Sequence, residues 1–294
     1  MYIGILIAIG TGLLWTFIGI IMSRCSRSKI EFIDYYAANT LFTAVLTMLV
    51  YVRWNVAIGG QVMEPLSLTT VIISSGIANA AGLIVMQRAM NSGHNGVIWA
   101  VGQSALIIPF ISGIVLFGEH AAAIKFLGVG MILIGMLVPS ILGGNNVEGN
   151  RMWLVLTFAA FILFGIGQTL QSVPSYWRGW IDNANIRPTL GSAGAFAGAL
   201  VISLFRGRLP IPDRRTLLLA LGMAALNTVS VKLFYVALDM LSKQGMASIC
   251  FPLIVGSCIV GFSMYSLFVI REKSRWFNWA GLAATITGIV AISR

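Results

Sequence analysis

Lys232 sits well inside an apolar run, in the stretch "LNTVSVKLFYVAL" at 226–238. An ionisable side chain at that depth is costly, faces protein or water, and is a functional candidate by default. Two readings are open. Its ammonium meets an electronegative ligand group, or its stem snorkels toward the interface near Asp239, about two turns away. Every carboxylate in the chain falls at a predicted helix end or in a loop, which leaves Lys232 no obvious buried partner and favours the ligand reading.

Six amides share its setting inside apolar runs: Asn39, Asn79, Gln103, Gln168, Gln171 and Asn227. By helical spacing Asn39 falls on one face with Tyr35 and Tyr36, and Gln168 on one face with Gln171 and Gly165. Amides beside aromatics suit hydroxyl-rich or amide-bearing ligands. They also serve as interhelical glue, at about 1 kcal/mol each. Trp15, one turn from Thr11, either lines a cavity or packs on lipid. The candidate substrate-binding set is Lys232, Trp15, Asn39, Asn79, Gln103, Gln168, Asn227 and Tyr235, the last from the stretch "YVAL" at 235–238.

Catalytic constellations are missing. There is no HExxH or GxSxG, only two His, and no acid pair at depth, so an intramembrane enzyme is not the expectation. No GxxxxGK[ST] occurs, which argues against direct use of ATP. Cys25, Cys250 and Cys258 have neither disulfide nor zinc spacing, and no cofactor or metal is expected.

The elements that must position these residues are membrane helices. The chain is 58% hydrophobic and 10% charged, against roughly 25% charged in a soluble domain. Breaks at charges, Pro and Gly/Asn clusters leave ten candidate spans, at about 2–22, 32–52, 66–90, 96–117, 121–142, 151–172, 189–206, 215–238, 244–270 and 276–293. Lipid offers the backbone no hydrogen bonds, so runs of this length must be helical. The first run lacks a basic leader and a cleavage site and reads as a retained helix. The net charge of +10 lies in loops and reads as a topology signal rather than a nucleic-acid footprint.

The stretch "FGEHAAAIKFLGVGMILIGM" at 117–136 returns as "IREKSRWFNWAGLAATITGI" at 270–289. An offset of 153 maps Glu119 onto Glu272, Gly128 onto Gly281 and Gly135 onto Gly288. Upstream, "QRAM" at 87–90 pairs with "YVAL" at an offset near 148. Such self-similarity marks a repeat. The expected organisation is a five-helix repeat over 1–142, a polar linker "GGNNVEGN" over 143–150 and a second five-helix repeat over 151–294. Five is odd, so the second copy starts on the opposite side of the membrane and the repeats are inverted, with a substrate site near the midplane between them. Glu119 and Glu272 stand at helix junctions, where each carboxylate is expected to cap the helix that follows. Gly194 and Gly198 in "GSAGAFAG" permit close approach, either to an internal neighbour or in a homodimer.

A five-helix unit ending in a Glu-containing turn and a Gly-rich last helix, present twice, resembles the drug/metabolite transporter superfamily in its ten-helix EamA-like form. The residues carrying the likeness are "FGEHAAAIKFLGVGMILIGMLV" at 117–138, "REKSRWFNWAGLAATITGIVAIS" at 271–293, and "YVAL" with "GMASICFPL" at 235–253. "FGIGQTLQSV" and the long connection after it are similar to the rhamnose and glucose uptake branch. The resemblance implies a secondary transporter in a bacterial cytoplasmic (inner) membrane, moving a small polar metabolite, sugar-like or organic-acid-like, by alternating access. An amino-acid or amine exporter, an intramembrane enzyme and a non-transporting subunit are the alternatives. The partners expected are the small-molecule substrate and the bilayer. Small multidrug exporters of this superfamily use a Glu in the first helix. Here that helix carries no acid. Where the family has Pro in the fourth helix, this chain has Gln103, with Pro109 six residues on.

Of the Lys and Arg residues, twelve fall in the odd-numbered loops and six in the even-numbered loops and C-terminus. The positive-inside rule then puts both termini outside the cytoplasm, whereas the family habit is cytoplasmic termini.

Overall fold

The computed structural model describes residues 2–27, 31–52, 65–91, 95–143, 152–177, 185–265, 268–269 and 276–294. Glu272, His94 and nearly all of the 143–150 linker lie outside the described residues. Everything regular among those described is helical. The spans are α1 (Tyr2–Arg27), α2 (Phe32–Tyr51), α3 (Pro65–Met90), α4 (Val97–Val115), α5 (Ala123–Gly143), α6 (Met152–Ser172), α7 (Arg187–Phe205), α8 (Arg214–Ser242), α9 (Ala247–Tyr265) and α10 (Trp276–Ile292). Nine of them are long and apolar enough to cross a membrane, and α10 is a shorter apolar helix. The chain therefore reads as a multi-pass membrane protein.

Two spans are broken, and proline accounts for both breaks. In α4 a 3-10 turn, Ser104–Leu106, precedes Pro109, and in α9 a 3-10 turn, Ala247–Ile249, precedes Pro252. Proline donates no backbone hydrogen bond, and its ring crowds the carbonyl four residues back, so the chain tightens just upstream.

Most of the extensive helix contacts join the first five spans to the last five. α1 packs on α8 and α9, α2 on α7 and α8, α3 on α6 and α7, α4 on α6, and α5 on α10. Glycines set the closest crossings, because they let backbones meet where a Cβ would intrude. A Cβ on Gly128 would lie 2.8 Å from the Gly288 carbonyl oxygen, and one on Gly135 would lie 2.6 Å from that of Gly281. The low-numbered glycine of α5 thus meets the high-numbered glycine of α10, which makes the two helices antiparallel. The seventh-helix glycines serve an internal contact: a Cβ on Gly194 would lie 2.3 Å from the Ile73 carbonyl oxygen, on α3.

The ends of the helices gather on two faces. On face I, Thr189 at the start of α7 donates to Thr47 near the end of α2 (3.0 Å), and Gly4 of α1 abuts Met240 and Leu241 of α8. On face II, Arg208 after α7 reaches Asp34 at the start of α2 (2.9 Å). Helix α8 stops on face I in a Schellman turn. Met246 N–H bonds the Leu241 carbonyl, Gly245 N–H bonds that of Ser242, and Gly245 takes φ 65°, a left-handed conformation that suits glycine.

Candidate functional site

A cavity of about 230 Å³ lies inside the bundle, walled by α1 to α4 and by α6 to α9. Trp15, Asn39, Asn79, Gln103, Gln168, Asn227 and Tyr235 all line it. Tyr35, Tyr36 and Gln171, which share helix faces with the predicted amides, line it as well. Sequence reasoning passed over Trp99, Phe164 and Ser192, which also line it. Nothing in their local spacing separates them from ordinary core residues.

Lys232 is not on that wall. Its Nζ donates to Asn185 Oδ1 just ahead of α7 and lies 5.5 Å from the centroid of the Tyr51 ring. The flexible stem carries the ammonium along α8 to these two partners at face I.

An amide relay crosses the cavity wall. Asn39 Nδ2 donates to the Ala220 carbonyl (3.2 Å), and Asn227 Nδ2 donates to Asn39 Oδ1 (2.9 Å). The direction is fixed chemically. A backbone carbonyl only accepts, so Asn39 must present its NH₂ to Ala220, its oxygen to Asn227, and Asn227 must donate. This leaves Asn227 Oδ1 with no hydrogen-bond partner among the described residues, and the same holds for Gln168 Oε1 and Trp15 Nε1. Asn79 is wedged against α6, where a Cβ on Gly167 would sit 3.0 Å from its amide.

Toward face I, Tyr235 separates the cavity from a buried ion pair. Arg187 Nη1 and Asp239 Oδ1 are 2.8 Å apart, Ser175 donates to the same Asp239 oxygen (2.7 Å), and Arg187 also donates to Ser175 (2.8 Å). The Arg187 guanidinium lies 5.7 Å from the Tyr235 ring centroid. Side-chain exposures of 0% and 7% place both ions out of water. Arg187 was counted above among the loop charges. Its neighbour Pro188 marks a helix start, but no local signal ties it to an acid 52 residues on.

Glu119 is also buried, and it does not cap the helix that follows it. Its carboxylate accepts from the backbone N–H groups of Ala247 (2.6 Å) and Ser248 (3.0 Å), and so caps the first turn of α9. Gly118, at φ 69°, turns the chain after α4, and Glu119 N–H returns to the Gly113 carbonyl. The exposed N–H groups at the α9 start attract the anion for the ordinary helix-terminus reason.

Fold and site together define a helical membrane bundle around an internal cavity with a polar, aromatic wall. No protein-family model and no curated protein matches the chain. Among solved structures it is similar to one described only as "Crystal structure of protein", at TM-score 0.69 and 12% identity, covering 99% of this chain and 98% of that one. At that identity the likeness concerns the fold alone.

Proposed function

We propose that the chain is a secondary transporter of the drug/metabolite transporter type, moving a small polar metabolite through the central cavity by alternating access between two inverted five-helix halves. The observation that carries this reading is the cavity, whose wall is drawn from α1 to α4 and from α6 to α9 in similar measure. A site between two halves is where rocking of one half against the other exposes a solute alternately to each side.

The packing supports the inversion. Exchange each helix for the one five later, and the contacts return: α1 on α8 becomes α6 on α3, α2 on α8 becomes α7 on α3, and α1 on α9 becomes α6 on α4. The antiparallel glycine crossing behaves likewise, since Gly128 against Gly288 becomes Gly281 against Gly135. Helix α1 begins on face I, where the turn just after α6 sets Ser175 beside Asp239. A sugar-like solute suits the amides and aromatic rings of the wall. The bacterial inner membrane is the proposed location.

Cys258 lines the cavity and supplies a native reporter. In a Cys25→Ser variant reconstituted in one orientation, an uncharged glucose-bearing methanethiosulfonate, too polar to cross lipid, is applied from either side. Alternating access predicts modification of Cys258 from both sides. Modification from a single side, or from neither, refutes transport and leaves the non-transporting subunit.

A further inference from the structure

We propose that the cavity selects a solute with no formal charge on the atoms it buries, held by hydrogen bonds to the neutral amides and hydroxyls of the wall. The inference rests on the transport reading and deepens it by excluding two of the substrate classes open at the sequence level, organic acids and amines. Its first ground is the composition of the wall. Among the described residues, those lining the cavity include no Asp, Glu, Lys, Arg or His. The nearby charges are already engaged: Arg187 and Asp239 neutralise one another behind Tyr235, and Lys232 is turned to Asn185 and Tyr51. An ion entering such a site gives up its hydration and meets no counter-charge, whereas a neutral polar group needs only hydrogen-bond partners.

Its second ground is the polar part of the wall, which consists of neutral amides and hydroxyls, among them Asn39, Asn79, Gln103, Gln168, Asn227 and Ser192. Amides and hydroxyls both donate and accept, and so match a molecule that does both, as hydroxyl and amide groups do. A carboxylate offers no donor, and an ammonium offers no acceptor. The rings of Trp99, Phe164 and Tyr36 supply the apolar surface for the solute's carbon face.

The test needs no knowledge of the solute. Cys258 is treated with three methanethiosulfonates of similar size: 2-hydroxyethyl (neutral), 2-sulfonatoethyl (anionic) and 2-trimethylammonioethyl (cationic). In each, the thiolate attacks the sulfenyl sulfur, a disulfide forms, methanesulfinate leaves with the bonding pair, and the thiol proton passes to solvent. Rates are divided by those on a small free thiol, which removes intrinsic reactivity. The neutral reagent is expected to be at least tenfold faster than either ion. In Gln103→Glu, or in Asn79→Asp should the first fail to fold, the cationic reagent gains at least tenfold relative to the neutral one. An anion or cation that matches the neutral reagent on the unaltered wall overturns the inference, as does absence of reaction with all three. Equal rates with access from both sides would leave transport standing while the charge selection fails. Access from one side alone would refute transport instead.

Discussion

Replacing Asp239 with alanine removes the carboxylate that meets the Arg187 guanidinium in a site where the arginine has 0% exposure. The magnitude follows from comparing two terms. At 2.8 Å and an effective dielectric of about 20, the Coulomb attraction is about 6 kcal/mol, whereas drawing each ion from water costs several kcal/mol. The intact pair therefore contributes little net stability. Its removal on one side is a different matter, because the desolvation of the remaining ion is no longer offset, and a loss of about 3–5 kcal/mol is expected. Ser175 adds to the loss, since its hydroxyl gives up the acceptor at 2.7 Å. Arg187→Met with Asp239→Ala removes both charges and should recover about 2 kcal/mol or more of the single variant's loss. The assay is denaturant unfolding in mixed micelles, followed by tryptophan fluorescence, for the two single variants and the double. An Asp239→Ala protein within about 1 kcal/mol of the parent, or a double variant whose losses simply add, would refute the argument that loss of the buried carboxylate opposite Arg187 is the cost.

Other outcomes follow from the same geometry. Glu119→Ala deletes the acceptor for two N–H groups at the α9 start, and unfolding should show a loss of about 2 kcal/mol, with Glu119→Gln losing less. Gly281→Ala drives a Cβ to 2.5 Å from the Gly135 carbonyl oxygen and should destabilise by about 1–3 kcal/mol in the same assay. Gly222→Ala, where a Cβ meets nothing within 4 Å, should be neutral or stabilising. Asp213 lies outside the spans and caps α8 by accepting from Thr216, a hydrogen bond that holds its carboxyl below the ordinary value of 3.8. Its contribution is present above that unfolded value and is lost as pH falls through the lower folded value. Asp213→Asn, which still caps, should flatten the acid side of the unfolding profile below about pH 5. A C-terminal reporter that fluoresces only in the cytoplasm should stay dark, because the positive-inside rule applied to the odd-numbered loops puts both termini outside.

The sequence by itself determined the helical spans of the described residues and their apolar, membrane-compatible character. Those properties are local: a run of apolar residues in lipid must satisfy its own backbone, and no partner elsewhere in the chain changes that. It also marked the amides at depth, because a polar side chain stands out against an apolar run whatever it touches. Tertiary structure alone decided what those side chains meet. Glu119 stands four residues before its own following helix yet caps one 128 residues away, Asn227 and Asn39 join across 188 residues, and Arg187, placed at a helix start beside Pro188, is buried against Asp239. Lys232, the residue that composition made most conspicuous, is turned out of the cavity by the rotation of α8 and the reach of its own stem. Side-chain periodicity fixes which residues share a face of one helix, but which way that face turns is set by the neighbours it packs against.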